Sequence, residues 1–158
     1  MSTLAPLRPR ASRGKRRFAI VASLFNGHYV RGLIDYATGE LQTLSPAAVI
    51  SVHQVPGAFE IPIVVREIAL AKKVDAILAL GVILQGKTSH AQNLARSVTD
   101  ALQRIAIEHG VPVINAVLSL ETEEQARERC LESEINRGTE AARAAVEIAN
   151  VMRDLRNK

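Results

Sequence analysis

The sequence predicts an α/β protein: a three-layer α/β/α sandwich with a central four-stranded parallel sheet. Three observations predict it. Four short runs, at 17–24, 48–55, 76–84 and 112–118, have the apolar content of buried strands. Each is followed by a longer segment whose apolar residues recur at helical spacing, and strict alternation of this kind makes parallel strands with crossover helices on both faces. Composition supplies the core: 47% of the 158 residues are hydrophobic and only 3% aromatic, with no Trp, so one aliphatic, two-sided domain is expected.

The first run, Arg-Phe-Ala-Ile-Val-Ala-Ser-Leu, suits a strand covered on both faces. Phe25, Asn26, Gly27 and His28 turn the chain, with Asn26 in the role of helix N-cap. Val30, Leu33, Ala37 and Leu41 follow at helical spacing until Ser45-Pro46 breaks the pattern. After the second strand Pro56-Gly57 turns the chain. Pro62 sits early in the next helix, where a missing N–H costs nothing, and Ile61, Val64, Val65, Ile68 and Ala69 form its inner face. The third strand is wholly apolar, the expected sheet centre. A long helix over 89–109 then carries Leu94, Val98, Ala101, Leu102 and Ile105 in register, closed by Gly110 as a C-cap. After the fourth strand Thr122 opens a polar helix reaching about 132, with Glu124 and Gln125 placed to return its cap. A break at 133–138 precedes a last helix running to about 157, with Ala141, Ala145, Ile148, Ala149 and Met152 on one side.

The net charge of +4 belongs to one end. Arg8, Arg10, Arg13, Lys15, Arg16 and Arg17 lie in the first 17 residues, which contain no acid; without those six, 14 basic residues face 16 acidic ones. Residues 1–16 therefore read as a flexible basic arm on a single domain at 17–158. The arm suits a solvated tail, and more sharply a nucleic-acid contact or a transit peptide. It has no apolar core of the kind a secretory signal needs. The one cysteine, Cys130, excludes an intrachain disulfide framework and fits a reducing compartment, read as the cytoplasm. No apolar run approaches the roughly 18 residues that span a membrane.

The chemistry gathers at Leu80–His90, Leu-Gly-Val-Ile-Leu-Gln-Gly-Lys-Thr-Ser-His. A buried strand enters a glycine turn and then a helix start, where unpaired backbone N–H groups attract anions. His90 adds a group that exchanges protons near neutral pH. The expected ligand is a phosphate-bearing substrate with acid–base chemistry beside it. Gly81 to Thr88 also fits G-x-x-x-x-G-K-T, but Val82, Ile83 and Leu84 are bulky strand residues, and no apolar run ends in a metal-binding Asp. A nucleotide-triphosphate site is therefore rejected. In open parallel sheets ligands sit beyond the carboxyl ends of the strands. There lie Phe25-Asn26, the 56–60 turn, the 85–90 loop and the stretch after Leu118.

Ala22-Ser23-Leu24-Phe25-Asn26, Val55-Pro56-Gly57-Ala58-Phe59-Glu60-Ile61-Pro62, Gly81 through His90, Glu124-Gln125-Ala126-Arg127-Glu128-Arg129 and Asn136-Arg137-Gly138 occur in that order. In these blocks the chain resembles the 6,7-dimethyl-8-ribityllumazine synthase family over roughly 17–156. The resemblance implies a flavodoxin-like fold and a condensation of 5-amino-6-ribitylaminopyrimidinedione with 3,4-dihydroxy-2-butanone 4-phosphate, without metal or organic cofactor. It implies Phe25 stacking on the pyrimidine, Ala58, Phe59 and Glu60 along the ribityl chain, and Gly86, Lys87 and Thr88 as a phosphate loop. His90 would transfer protons and Arg129 bind phosphate. Arg137 stands where lysine is usual, so the charge is kept. Asn26, Gly57, Gly81, Val82, Ile83 and Asn115 complete the implied substrate-binding set. The family assembles as homopentamers, in some members as 60-subunit shells, and Asn115 and Arg129 would reach the Phe25 and Phe59 side of the next subunit.

Four departures stand out: Gln85 replaces the usual Arg, Ala91 replaces an aromatic after His90, Asn115 stands where many members have Phe although some carry Asn, and 130–135 lacks the glycines many members have. Gln85 and Ala91 argue for a rival reading, a weakly active ligand-binding or shell-forming scaffold. Retention of His90 and Arg129 argues for the enzyme.

Overall fold

The computed structural model describes residues 3–158. The chain forms β1 (Arg17–Ser23), α1 (Gly27–Leu44), β2 (Val49–Val55), a 3-10 turn (Ala58–Glu60), α2 (Ile61–Ala71), β3 (Ala76–Leu84), α3 (His90–His109), β4 (Val113–Leu120), α4 (Glu123–Cys130) and α5 (Arg137–Arg156). The strands make one parallel sheet in the order β2-β1-β3-β4. This is the three-layer arrangement the alternation predicts.

Side chains alternate across the sheet because successive strand residues face opposite sides. Phe18, Ile20 and Ala22 of β1, with Leu78 and Leu80 of β3, pack under α1, α4 and α5. Ala19 and Val21, with Ile77, Ala79 and Ile83, pack under α2 and α3. Full burial of each large apolar side chain contributes about 1.5–3 kcal/mol, so the two clusters lock β1 and β3 into the middle of the sheet. β2 differs, since it is an edge strand with Val49 and Val52 exposed. β4 runs two residues beyond the expected end, to Leu120. Leu120 is buried and pairs with Leu84, so the ladder continues past Leu118.

The helix ends follow their chemistry. Gly110 closes α3 in the left-handed region (φ 65°), as expected of a C-cap. Thr122 Oγ1 accepts from Gln125 N–H at 3.1 Å, and the Gln125 side chain accepts from Glu121 N–H at 2.9 Å; Gln125, rather than Glu124, returns the bond. Asn136 caps α5, its Oδ1 accepting from Gly138 and Thr139 N–H while its amide donates to Glu132 O. Asn26 precedes α1 but does not cap it with its side chain. An N-cap normally has extended backbone. Here the left-handed backbone (φ 55°, ψ 39°) turns the amide towards β3, where Nδ2 donates to Val82 O at 2.8 Å.

The arm, expected to be mobile, contacts α1 and α5. Arg8 Nε reaches Glu40 Oε1 at 2.9 Å, and Arg143 Nε reaches the same oxygen at 3.1 Å. Asn150 donates to Arg10 O, and Ser12 N–H donates to Leu44 O. Arg16 is buried between Ser12, Asn150 and Asp75. Arg8, Arg10 and Arg16 thus face acids of the body. Among the described residues no helix is long and apolar enough to cross a membrane.

Candidate active site

Sheet order changes direction between β1 and β3: the chain leaves β1 towards β2 on one side and reaches β3 on the other. At such a switch point the loops at the carboxyl ends diverge and leave a crevice. A cavity of about 350 Å³ lies there. Phe25 and Asn26 from the β1 exit, Gly57, Ala58, Phe59 and Glu60 from the β2 exit, and Val82, Ile83 and His90 from the β3 side line it.

Each lining element is fixed locally. Leu24 N–H donates to Val55 O at 2.7 Å and Phe25 N–H to Pro56 O at 3.1 Å, which extends pairing between the two exits. Phe25 is nonetheless 71% exposed and Phe59 68%, so both rings stand at the open side. Glu60 Oε2 accepts from Gly57 N–H at 3.0 Å and closes the 3-10 turn. Its other oxygen has no hydrogen bond among the described residues. His90 is exposed at the first residue of α3. Its backbone N–H donates to Thr88 Oγ1 at 3.4 Å. Ser89 makes no side-chain cap, and the first bond of the helix runs from Asn93 N–H to Ser89 O. The N–H groups of Ala91 and Gln92 come before it. A helix start left uncapped in this way favours an anion.

Other sequence-predicted residues lie outside the cavity lining. Gly81 is buried within β3, where an added Cβ would stand 3.2 Å from Ser23 Oγ and 3.3 Å from Val117 Cγ1. Gly86, Lys87 and Thr88 are exposed on the loop leading to His90. Asn115 and Arg137 line a second cavity of about 300 Å³ beside β4 and α5. Asn115 donates to Thr99 Oγ1 and accepts from Val117 N–H, and Arg137 pairs with Glu140. Arg129, on α4, lines neither cavity. Its Nη1 is 3.6 Å from Glu128 Oε2, while Nε is buried without a hydrogen-bond partner among the described residues. Ser23, Leu84 and Leu94 also line the first cavity and were not anticipated; Ala91, the departure after His90, lines it as well. Leu94 could have been found from helical spacing, since it lies four residues beyond His90. No group of three or more His, Cys, Asp or Glu suited to a metal occurs among the described residues.

Residues 15–153 match the family model described as 6,7-dimethyl-8-ribityllumazine synthase. The chain belongs to that family. It is similar to the 6,7-dimethyl-8-ribityllumazine synthase of Halorhodospira halophila, 41% identical over 140 residues, which is 88% of this chain and 90% of the relative. Proteins of the same description from Azoarcus sp. (38% identity, 88% and 87% coverage) and Leptothrix cholodnii (41% identity, 88% of both) are similar over the same extent. The family match covers β1 to most of α5 and leaves most of the arm outside. Every residue lining the first cavity lies within it.

Proposed function

We propose that this chain is a lumazine-forming transferase of riboflavin biosynthesis. It joins 5-amino-6-ribitylaminopyrimidinedione to 3,4-dihydroxy-2-butanone 4-phosphate, releasing water and phosphate. The observation that carries the proposal is the switch-point cavity, where two aromatic rings, a carboxylate and a histidine converge in a member of this family.

The roles follow from the chemistry of the groups. Phe25 offers a flat apolar face for the pyrimidine ring, and stacking holds a heterocycle without requiring charge. Glu60 has a free carboxylate oxygen to accept from ribityl hydroxyls. Asn26, Gly57, Ala58, Phe59, Val82 and Ile83 shape the remaining wall. The uncapped start of α3, with Lys87 and Thr88 just before it, suits the substrate phosphate. The substrate amine attacks the ketone and loses water to form an imine. Loss of a proton and expulsion of phosphate then give an enol, which tautomerises to a ketone; the ribitylamino nitrogen attacks that carbonyl and closes the second ring with loss of water. His90 can take and return protons through these steps.

The site is shared between subunits of a homopentamer, in the same proposal. Support comes from the exposed rings of Phe25 and Phe59 and from the separation of Asn115, Arg129 and Arg137 from the first cavity. A neighbouring copy would bring these groups to the open side, where two guanidiniums would complete the phosphate site. Assembly into a 60-subunit shell and a cytoplasmic setting belong to the same reading. The arm at 1–16 lies outside this catalytic domain.

The test is lumazine chromophore formation from the two substrates, measured above the uncatalysed rate. Protein-dependent product is expected, with His90→Ala lowering turnover more than it weakens binding and Arg129→Ala mainly damaging use of the phosphate substrate. Mixing the two variants tests sharing: random reassembly restores both groups in about a quarter of the sites. A folded, pentameric protein without acceleration would favour the scaffold reading.

A further inference from the structure

We infer that Gln85 and Ser119 form a positioning pair that sets the loop carrying Lys87 and Thr88 and, through it, the phosphate-binding end of the site. The inference rests on the proposed reaction and goes beyond its assigned residues.

Gln85 is the first residue after β3, and it is fastened twice to β4. Its backbone N–H donates to Leu120 O at 2.8 Å, one step beyond the last strand pair, Leu84 with Leu120. Its side-chain amide Nε2 donates to Ser119 Oγ. The following loop, 86–89, makes no hydrogen bond to any other element among the described residues except α3, at whose start Thr88 and Ser89 accept. All four loop residues are exposed, and an added Cβ at Gly86 would meet nothing within 4 Å, so packing holds the loop little. It is a span held only at its two ends. The α3 end is set by the helix, and the β3 end by Gln85.

A span of this kind moves with its anchor. The backbone bond to Leu120 fixes the height of Gln85, and the side-chain bond to Ser119 fixes its direction along β4. Loss of the side-chain bond frees the exit to swing, and Lys87 and Thr88 swing with it. His90 begins a helix packed through Ala91, Val98, Leu102 and Ile105, so it is held far better than the loop. The pair should therefore act on phosphate affinity more than on proton transfer. Neither side chain belongs to the buried core, so its removal should alter loop geometry with little effect on folding.

The experiment uses the assembled enzyme with Gln85→Ala, Ser119→Ala, the double variant and Ser119→Thr. One bond of this kind is worth about 1 kcal/mol. Each alanine variant should raise KM for the butanone phosphate about 5-fold and raise Ki for inorganic phosphate in proportion. kcat and KM for the pyrimidine should change little. The double variant should match a single one, and Ser119→Thr, which keeps the hydroxyl, should restore the native values. Unchanged phosphate KM and Ki in an active enzyme, or additive losses in the double variant, would overturn the pairing alone. Native protein that forms no product would overturn the proposed reaction and this role with it.

Discussion

Gly39→Ala and Gly138→Ala make the same chemical change at two helical sites and should have opposite effects. Gly138, at the start of α5, packs directly on α1: an added Cβ would stand 2.4 Å from Leu33 O and 3.1 Å from Ala37 N. An ordinary carbon contact needs about 3.5 Å, so the two helices must part locally by about 1 Å. Both obstacles are backbone, and no rotamer change relieves them. Overpacking of this kind costs about 1–3 kcal/mol. The higher helix propensity of Ala recovers at most about 1 kcal/mol, and less at a helix end. A net loss of about 2 kcal/mol, or a fall in Tm of about 4–8 °C for a chain of this size, is expected. Gly39 is exposed on α1, and its added Cβ would meet nothing within 4 Å. Only the propensity gain of about 0.5–1 kcal/mol remains there, a rise of about 2–3 °C. Thermal denaturation of both variants, checked by urea titration at constant slope, reads the two signs. A rise for both, or an unchanged Gly138→Ala, would refute the close approach of α5 to α1.

Burial opposes the charge of Glu40, but hydrogen bonds and charge from Arg8 and Arg143 outweigh it and hold the carboxyl below its ordinary range. A lowered folded pKa contributes stability that is present above the unfolded value near 4.3 and lost as pH falls through the folded one. Arg8 is largely exposed, so Glu40→Gln should cost only about 1–2 kcal/mol at pH 7, and its difference from the native chain should shrink in denaturation curves below about pH 4. Asn26→Gly keeps the left-handed backbone but loses the 2.8 Å bond to Val82 O, whereas Asn26→Ala loses both. The expected losses are about 1 and about 2–3 kcal/mol, and equal losses by urea titration would show that the backbone is unstrained. Burial pushes the Cys130 thiol up to about 12 against the opposing charge of Arg129. Iodoacetamide at pH 8 should leave it unmodified in the folded protein and label it in urea, as mass spectrometry would show.

The sheet was legible because β1 and β3 are buried on both faces, and continuous apolar runs such as Ala76–Leu84 have few other uses. The loops that form the first cavity were legible for a related reason: Phe25, Phe59 and His90 follow strand exits directly, and parallel topology puts those exits at one end. What escaped depends on pairings between distant residues. Asn26 reads as a cap from its neighbours, but Val82, 56 residues away, claims its amide. The arm reads as a solvated tail because nothing near it in sequence is acidic; its partners Glu40, Asp75 and Asp154 come from α1, the turn before β3 and α5. Glu40 carried a faint signal, since it lies three residues after Ala37 and one before Leu41 on the inner side of α1. The resemblance already assigned Asn115 and Arg129 to the Phe25 and Phe59 side of a neighbouring subunit, but it gave no such reading for Arg137, which also lies outside the first cavity.

That separation also bears on why the cavity is open. A chain that closed its own site would fold a loop over Phe25 and Phe59 and gain from covering them. Here both rings keep about two thirds or more of their surface in water. Covering each would contribute about 2 kcal/mol, a gain the chain forgoes because the neighbouring loops are already committed: the β1 exit to Pro56, the 56–60 turn to its own cap at Glu60, and the β3 exit to β4. A rigid, open site of this kind suits the proposal that a second copy acts as its lid. In the proposed shared site, association would provide the apolar cover and further cations in one step, so dilution that dissociates the native assembly should also weaken substrate affinity.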